Sequence, residues 1–402
     1  MINIGLLGLG TVGLGVIEIL NKIEDGLEER LGSKLKIKKI LVRDKNKKRE
    51  IKRKIITYDF KEILEDREIS IIIDATSSLE ESYNYIRESL NNGKHVVTAN
   101  KAVVSKYFEE LSILGTKKNC AFLYEASVGG GIPILKTLKE QTAINEIKEI
   151  KGILNGTSNY ILTRMFYEGF SYDQTLKMAQ ELGYAEIDPT ADVEGYDALR
   201  KLRILGTIGL KGKIEENNIM VRGIKNILPF DIEKIKSLNS TIKLLGEIKC
   251  NENKYIAMVQ PTIIKDDSYF ASVNMGFNAI SIMGNNVGQL SFYGTGAGKL
   301  PTANAMISDV LDIVKNSYRK ESSLDTRKLV NINDRVKGQY YLRVSQEEKN
   351  TLNKLIEISD KVFSTRETIA ITTKEVFLKD ILDLIKSLEI NEDKYFLARI
   401  LN

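Results

Sequence analysis

The chain has 402 residues, 43% hydrophobic and 28% charged, with a formal net charge of +5. That length allows two or three domains around a substantial core, and the small cationic excess is too diffuse to favour a nucleic-acid partner. Cys120 and Cys250 are too few and too far apart for a disulfide framework or a zinc site, no apolar run approaches ~18 residues, and no signal peptide precedes the first strand pattern, so a cytoplasmic protein is expected.

Residues 2–7 form a short apolar run bounded by glycine, the pattern of a buried parallel strand. Gly8-Leu9-Gly10-Thr11-Val12-Gly13 follows, and Val12, Val16, Ile19, Leu20, Ile23 and Leu27 then recur at helical spacing. Further strands are expected over 35–42, 69–73, 95–99 and 120–125. Helices are expected over 79–92, closed by Gly93, and over 101–118. Strands alternating with helices of this length argue for an α/β fold with a doubly wound, mostly parallel, Rossmann-like sheet.

From about residue 130 the pattern becomes α+β. Pro133 opens a short helix, and 147–154 is strand-like. Ser171-Tyr172-Asp173-Gln174 is a capping box for a helix stopped at Gly183. A helix is expected over 193–210 and strands over 220–227, 241–249 and 255–264. Another helix should run from Pro301 to about Lys315. Residues 319–337 read as a linker and 338–402 as one small βαββα unit.

The spacing of Gly8, Gly10 and Gly13 is that of a dinucleotide-binding turn, and it lies between a strand and a helix as that motif requires. Gly8 permits the tight turn, Gly10 lets backbone approach a pyrophosphate, and Gly13 lets helix and strand pack closely. The helix start at Thr11 and Val12 offers N–H groups to the anion. Arg43, Asp44 and Lys45 end the second strand. A cation there suits the 2′-phosphate of NADP, while Asp44 leaves NAD open.

The chemistry is sought in Gly183–Lys201, which concentrates carboxylates and ends in a lysine four residues after an aspartate. On a helix, Asp197 and Lys201 share one face. The sequence has one histidine, His95, on an apolar face before a strand, so a lysine or a carboxylate has to move any proton. Taken alone, the pair equals a surface ion pair of ~0.3–0.5 kcal/mol. Asn155-Gly156-Thr157-Ser158 is either an anion-binding turn or a capped strand-to-helix turn.

Together, the N-terminal fingerprint, Val97-Thr98-Ala99-Asn100-Lys101, Leu154–Tyr160, Gly183–Lys201 and Gly294–Ala303 resemble homoserine dehydrogenase over roughly residues 1–318. The resemblance implies NAD(P)-dependent interconversion of L-homoserine and L-aspartate 4-semialdehyde, in threonine and methionine biosynthesis. It implies Lys201 as acid/base, Glu186 and Asp197 as contacts to homoserine, and Lys101 as a second cation near nicotinamide and substrate. Thr76, Ser77, Gly183 and Gly298 would approach the cofactor. Glu125, Val128, Gly130 and Ile132 match a monovalent cation site such as one for sodium.

The implied domains are a cofactor domain over 1–130 with a returning segment 296–318, a substrate-binding and dimerisation domain over 131–295, the linker 319–337, and the tail 338–402. A homodimer or higher homo-oligomer follows from the same resemblance. Two features depart from the family. Asp74-Ala75-Thr76-Ser77-Ser78 stands where an acid and two glycines are usual, and Thr295 replaces a usual proline.

Gln339–Val344 resembles the first strand of an ACT domain. The following Ser345–Asn350 lacks the glycine that lets backbone wrap a ligand. An ACT-like tail that pairs subunits but binds threonine poorly or not at all is therefore expected. Competing readings are another NAD(P)-dependent amino- or hydroxy-acid dehydrogenase and a non-catalytic nucleotide-sensing protein.

Overall fold

The structure is a computed structural model that describes residues 1–49, 51, 53–318, 327–345, 349–365 and 368–401. Its first half runs β1 (Ile2–Leu7), α1 (Thr11–Leu31), β2 (Leu35–Leu41), β3 (Ile56–Thr57), α2 (Lys61–Leu64), β4 (Ile69–Asp74), α3 (Leu79–Asn91), β5 (His95–Thr98), α4 (Lys101–Lys117), β6 (Phe122–Leu123), α5 (Ile134–Ile144), β7 (Ile147–Ile153), α6 (Gly156–Glu168), α7 (Tyr172–Glu181), α8 (Thr190–Val193) and α9 (Tyr196–Leu210). The second runs β8 (Met220–Val221), α10 (Pro229–Ser237), β9 (Ser240–Asn251), β10 (Lys254–Lys265), β11 (Phe277–Gly284), β12 (Gly288–Thr295), α11 (Lys299–Val314), β13 (Val330–Asn331), β14 (Lys337–Ser345), α12 (Lys349–Ile358), β15 (Ser359–Ser364), β16 (Thr368–Thr373), β17 (Val376–Phe377), α13 (Leu378–Ser387) and β18 (Tyr395–Leu401). Among the described residues no helix is long and apolar enough to cross a membrane.

The chain divides into two compact units. Unit one is Met1–Ala143, Thr207–Gly212 and Gly294–Thr326; unit two is Ile144–Gly206, Lys213–Tyr293 and Arg327–Asn402.

Unit one holds a six-stranded parallel sheet in the order β3-β2-β1-β4-β5-β6. Its central strands are apolar on both faces because helices cover both. Val16 and Leu20 of α1 and Met306 and Val310 of α11 share one core with Ile4, Leu6 and Ile73. The two helices touch at Gly15, where a Cβ would lie 2.6 Å from the Lys299 carbonyl oxygen. The strand expected over 120–125 shortens to β6, since Glu125 already begins a 3₁₀ turn. Helix α11 starts before Pro301, which fits in the first turn where no amide hydrogen is needed.

Unit two is built on a second, mixed sheet in the order β12-β11-β7-β9-β10-β18-β14-β16-β15, with β8 and β13 also paired to β10 and β17 to β14. The β11–β12 hairpin was absent from the elements expected from the sequence. The strand expected over 220–227 reduces to β8. The helix expected over 193–210 is split into α8 and α9 at Gly195, whose φ of 87° favours glycine.

Residues 338–402 are not set apart from the middle of the chain. Strand β13, inside the expected linker, pairs with β10, and β18 joins the same strand in parallel at Thr262–Ile264. The expected βαββα pattern gains this final strand, so that β14, α12, β15, β16, α13 and β18 form the split βαβ arrangement of ferredoxin-like units. Buried ion pairs fasten it. Arg343 Nε donates to both oxygens of Asp231 at 3.0 and 3.1 Å, the Tyr341 hydroxyl donates to Asp231 at 2.8 Å, and Arg399 pairs with Glu247. Residues 319–326 of the linker and 346–348 of the loop after β14 lie outside the described residues.

Candidate active site

In unit one the fingerprint turns out of β1 into α1 at the carboxyl end of the sheet. Gly8 has φ 90°, and a Cβ there would lie 2.8 Å from the Ala75 carbonyl oxygen. A Cβ on Gly13 would overlap the Gly8 carbonyl, so this glycine closes the turn on itself. At Gly10 nothing lies within 4 Å of a Cβ. Gly10 also gives α1 no side-chain cap, so Thr11 and Val12 begin a helix whose head is open to an anion. These residues fit a dinucleotide pyrophosphate.

Two substitutions separate folding from binding. Gly13→Ala should lower the thermal midpoint sharply, because backbone must move. Gly10→Ala should fold as wild type yet weaken dinucleotide binding by about tenfold or more, since backbone approach is what it blocks. Unfolding scans and a dinucleotide titration read the two effects.

The loop after β4 is organised by Asp74, a role the sequence reading missed. This fully buried carboxylate accepts from the Thr76 amide and hydroxyl at 3.1 and 2.6 Å, from Ser82 at 2.5 Å and from Thr98 at 2.8 Å. Burial pushes its pKa up, and these donors pull back. The hydroxyl residues that replace the family's glycines thus include a tether for the loop, at Thr76, beside the exposed Ser77. Asn100 caps α4 by accepting from Val103 and donates to the Ser78 carbonyl at 3.1 Å, setting Lys101 at the first position of that helix.

Past β2, Arg43 pairs with Glu81 at 3.0 Å on the surface, and Lys45 lies over the Tyr58 ring at 5.3 Å. Asp44 turns into its own loop, accepting from the amides of Asn46 and Lys47 at 2.7 and 3.2 Å.

Glu125 is buried. Its two oxygens accept the Leu135 and Lys136 amides at 2.8 and 2.7 Å, so it caps the head of α5. Burial raises its pKa against those two N–H groups. Of its expected companions, Ile132 gives its carbonyl to the Ile134 amide at 2.8 Å, and Gly130 has φ 55° with backbone of Gly296 close by. No cluster of three or more His, Cys, Asp or Glu residues suited to a metal occurs among the described residues. Gly298 has φ 126° and precedes α11. His95 accepts the Ala121 amide at Nδ1, 2.9 Å away, a structural role.

In unit two, the helix α9 places Asp197 and Lys201 one turn apart, as expected, and buries both. They are 2 % and 6 % exposed, where a surface pair would be open to solvent. Lys201 Nζ lies 2.8 Å from Asp197 Oδ2 and donates to the Leu154 carbonyl at 2.7 Å. Asn155 completes the cluster. Its Nδ2 donates to Asp192 and Asp197 at 2.7 and 2.8 Å, while its Oδ1 accepts the Ser158 amide and caps α6. The Asn155–Ser158 segment is therefore a capped strand-to-helix turn whose Asn155 holds both aspartates, while the preceding Leu154 carbonyl holds the lysine. Asparagine at a helix start was the available signal; its second bond, to carboxylates, was not readable.

Glu186 does not join this buried cluster. It is exposed on the loop after Gly183, and Gln180 holds that loop by donating to the Glu186 and Ile187 carbonyls at 3.1 and 3.3 Å. The neighbouring Tyr184 stacks on Tyr160, with ring centroids 4.7 Å apart.

A second buried lysine was missed. Lys243 of β9 is 1 % exposed and donates to Val273 O, Asn274 Oδ1 and Asn159 Oδ1 at 2.5, 3.0 and 3.3 Å. Nothing but a lysine inside an apolar strand signalled it. Burial pulls its pKa from 10.5 to about 8. The unfolded chain then binds the proton more tightly, so stability rises with pH between these values and the full penalty acts below the lower one. Wild type should gain up to about 3 kcal/mol on Lys243→Met across that window. Denaturant titrations at its two ends measure the gain.

Comparisons with known proteins agree with both halves. A family profile described as homoserine dehydrogenase, NAD binding domain, matches residues 8–125, and one described as homoserine dehydrogenase matches 133–311. Homoserine dehydrogenase of Bacillus subtilis is 41% identical over 317 residues, covering 78% of this chain and 73% of that one. The crystal structure of a homoserine dehydrogenase from Thiobacillus denitrificans superposes with a TM-score of 0.91 at 32% identity, over 100% of this chain and 98% of that one. A hyperthermophilic archaeal homoserine dehydrogenase in complex with NADPH matches with a TM-score of 0.68 at 26% identity, over 79% of this chain and 98% of that one. With an open dinucleotide turn on one unit, a buried lysine–aspartate pair on the other, and relatives aligned across both, the chain belongs to the homoserine dehydrogenase family.

Proposed function

We propose that Lys201 is the acid/base of this homoserine dehydrogenase, exchanging a proton with the oxygen that differs between L-homoserine and L-aspartate 4-semialdehyde. The observation that carries the reading is the buried ammonium held by Asp197 and the Leu154 carbonyl. These two acceptors fix the position of its ammonium. In the reducing direction the ammonium donates as negative charge develops on the aldehyde oxygen; in the oxidising direction the neutral amine takes the hydroxyl proton. The nicotinamide dinucleotide, when bound, supplies or accepts the hydride.

Asp197 orients the lysine and, with Glu186, is the partner for the substrate ammonium. Lys101 serves as a second cation for the substrate. Gly8, Gly10, Thr11, Val12 and Gly13 hold the pyrophosphate, with Thr76, Ser77, Gly183 and Gly298 as further cofactor contacts. A monovalent cation at Glu125, Val128, Gly130 and Ile132 is a secondary reading, because both carboxylate oxygens already serve α5.

NADP is favoured over NAD. Asp44, the residue that would bind a ribose 2′-OH, is engaged by its own loop. Among the described residues Arg43 is tied by an exposed ion pair, which is weak enough to exchange for a phosphate. Homoserine-dependent reduction of NADP and of NAD tests this. Arg43→Ala should raise KM for NADP by about tenfold and leave that for NAD unchanged. An equal effect on both would remove Arg43 from the 2′-phosphate.

The tail reads as an ACT-like module fused to the main sheet, and threonine inhibition at millimolar level would contradict the weak binding expected of it. A homodimer through unit two is supported by the exposed Phe277, Met283, Val287 and Tyr293 on the β11–β12 hairpin. A monomer in sedimentation at assay concentration would exclude it.

A further inference from the structure

In unit one, a single buried carboxylate joins the glycine turn to the head of α4. Asp74 ends β4 and is closed off from water, as are Ser82 and Thr98 beside it. Its Oδ1 accepts the Thr76 amide and hydroxyl, and its Oδ2 accepts the Ser82 and Thr98 hydroxyls. A carboxylate has about four lone-pair positions, and these donors occupy them. Asp74 therefore has no acceptor left for a substrate or a cofactor. Any effect it has on either passes through the groups it holds.

Two of those groups lead toward the site. Thr76 belongs to the loop 75–78. Ala75 in that loop donates its amide to the Leu7 carbonyl at 2.8 Å and sets its own carbonyl against Gly8. A displaced loop would press on the turn that receives the pyrophosphate. Thr98 leads the other way. While it donates to Asp74, its oxygen accepts the Asn100 amide at 3.0 Å. The Asn100 side chain accepts the Val103 amide at 3.2 Å and donates to the Ser78 and Thr76 carbonyls at 3.1 and 3.4 Å. The bonds close a ring from Asp74 through Thr98 and Asn100 to the loop and back. Lys101 is the next residue and the first of α4. Ser82 is different, because it leads into α3, which carries no residue assigned to binding or chemistry.

We propose that Asp74 is a positioning residue for cofactor binding and for turnover: it fixes the loop against the glycine turn, and through Thr98 and Asn100 it fixes the end of α4 that bears Lys101. The second half rests on the reading of Lys101 as a second cation for the substrate; the first half does not. Lys101 stands at the first position of its helix, where loosened backbone would move its ammonium. A misplacement of about 1 Å can cost about 100-fold in rate. Exclusion of water from the ring strengthens each of its bonds and makes the loss of one felt at the others.

Variants of the full chain separate the three arms, each assayed where unfolding scans show it folded. Thr98→Val should lower kcat/KM for homoserine by about tenfold or more and leave the Kd for NADPH within about twofold of wild type. Thr98→Ser returns the hydroxyl and should return the kinetics. Asp74→Asn should lower kcat/KM as Thr98→Val does and also raise the Kd for NADPH by about tenfold. Ser82→Ala should lower the thermal midpoint with kcat, KM and Kd unchanged. In a Lys101→Ala background, Thr98→Val should cost nothing further. Turnover impaired as much by Ser82→Ala as by Thr98→Val would reduce Asp74 to a structural role. Wild-type kinetics in Thr98→Val, or an additive loss in the Lys101→Ala background, overturns the link to Lys101. Wild-type kinetics in Lys101→Ala alone overturns the Lys101 reading and the substrate half with it. An unchanged Kd for NADPH in Asp74→Asn overturns the cofactor half, and Thr76→Val, which takes one donor from the same carboxylate, carries that test if Asp74→Asn does not fold.

Discussion

Replacing Lys201 with alanine will lower homoserine-dependent turnover by about 100- to 10,000-fold, the range expected when a positioned acid/base is lost, while dinucleotide affinity stays near wild type. The glycine turn that receives the dinucleotide belongs to unit one and Lys201 to unit two, so binding and chemistry should separate cleanly. The substitution also leaves Asp197 buried without its cation, which costs about 3–5 kcal/mol of stability. Activity must therefore be measured where thermal unfolding shows the variant folded. A double variant, Lys201→Met with Asp197→Asn, removes that charge imbalance and should recover stability without recovering turnover. Near wild-type kcat in Lys201→Ala would remove the lysine from the mechanism.

Asp231→Ala will lower the unfolding free energy by about 3–5 kcal/mol, although Asp231 has no part in the proposed chemistry. Its carboxylate is fully buried and accepts Arg343, the Tyr341 hydroxyl and the Leu228 amide. Truncation strands the Arg343 guanidinium, which is 5 % exposed and keeps its bond to the Asn226 carbonyl. Because β14 and β18 share a sheet with β10, the loss should loosen unit two as a whole. Glu375→Ala breaks the exposed pair between Glu375 and Lys337, the first residue of β14, and should change stability by no more than about 0.5 kcal/mol. Urea unfolding of the two variants gives the comparison. Equal effects would mean that Asp231 does not secure the tail.

The dinucleotide unit was legible because its signals are local. Buried parallel strands are short apolar runs, and Gly8, Gly10 and Gly13 punctuate one turn. The α9 pair was legible for the same reason, as i and i+4 on a helix are neighbours wherever the helix goes. The β11–β12 hairpin and β18 were overlooked although their residues suit strands. The capping box at Ser171 formed with both of its bonds. The single helix expected over 193–210 broke at Gly195, whose φ of 87° is left-handed and where a Cβ would crowd Val221 and Val259 at 3.0 and 3.1 Å.

What the sequence determined by itself is the class of fold, the family and the residue types available for chemistry. These depend on spacing along the chain, which covalent geometry converts directly into turns, caps and shared faces. Tertiary structure alone decided that the Asp197–Lys201 pair is buried, that Asn155 and the Leu154 carbonyl hold it, that Glu125 caps α5, and that the tail extends the main sheet. Each of those depends on a partner distant in the chain or on exclusion of water. Neither leaves a mark in the order of residues, because dielectric environment and long-range pairing exist only after the chain has folded.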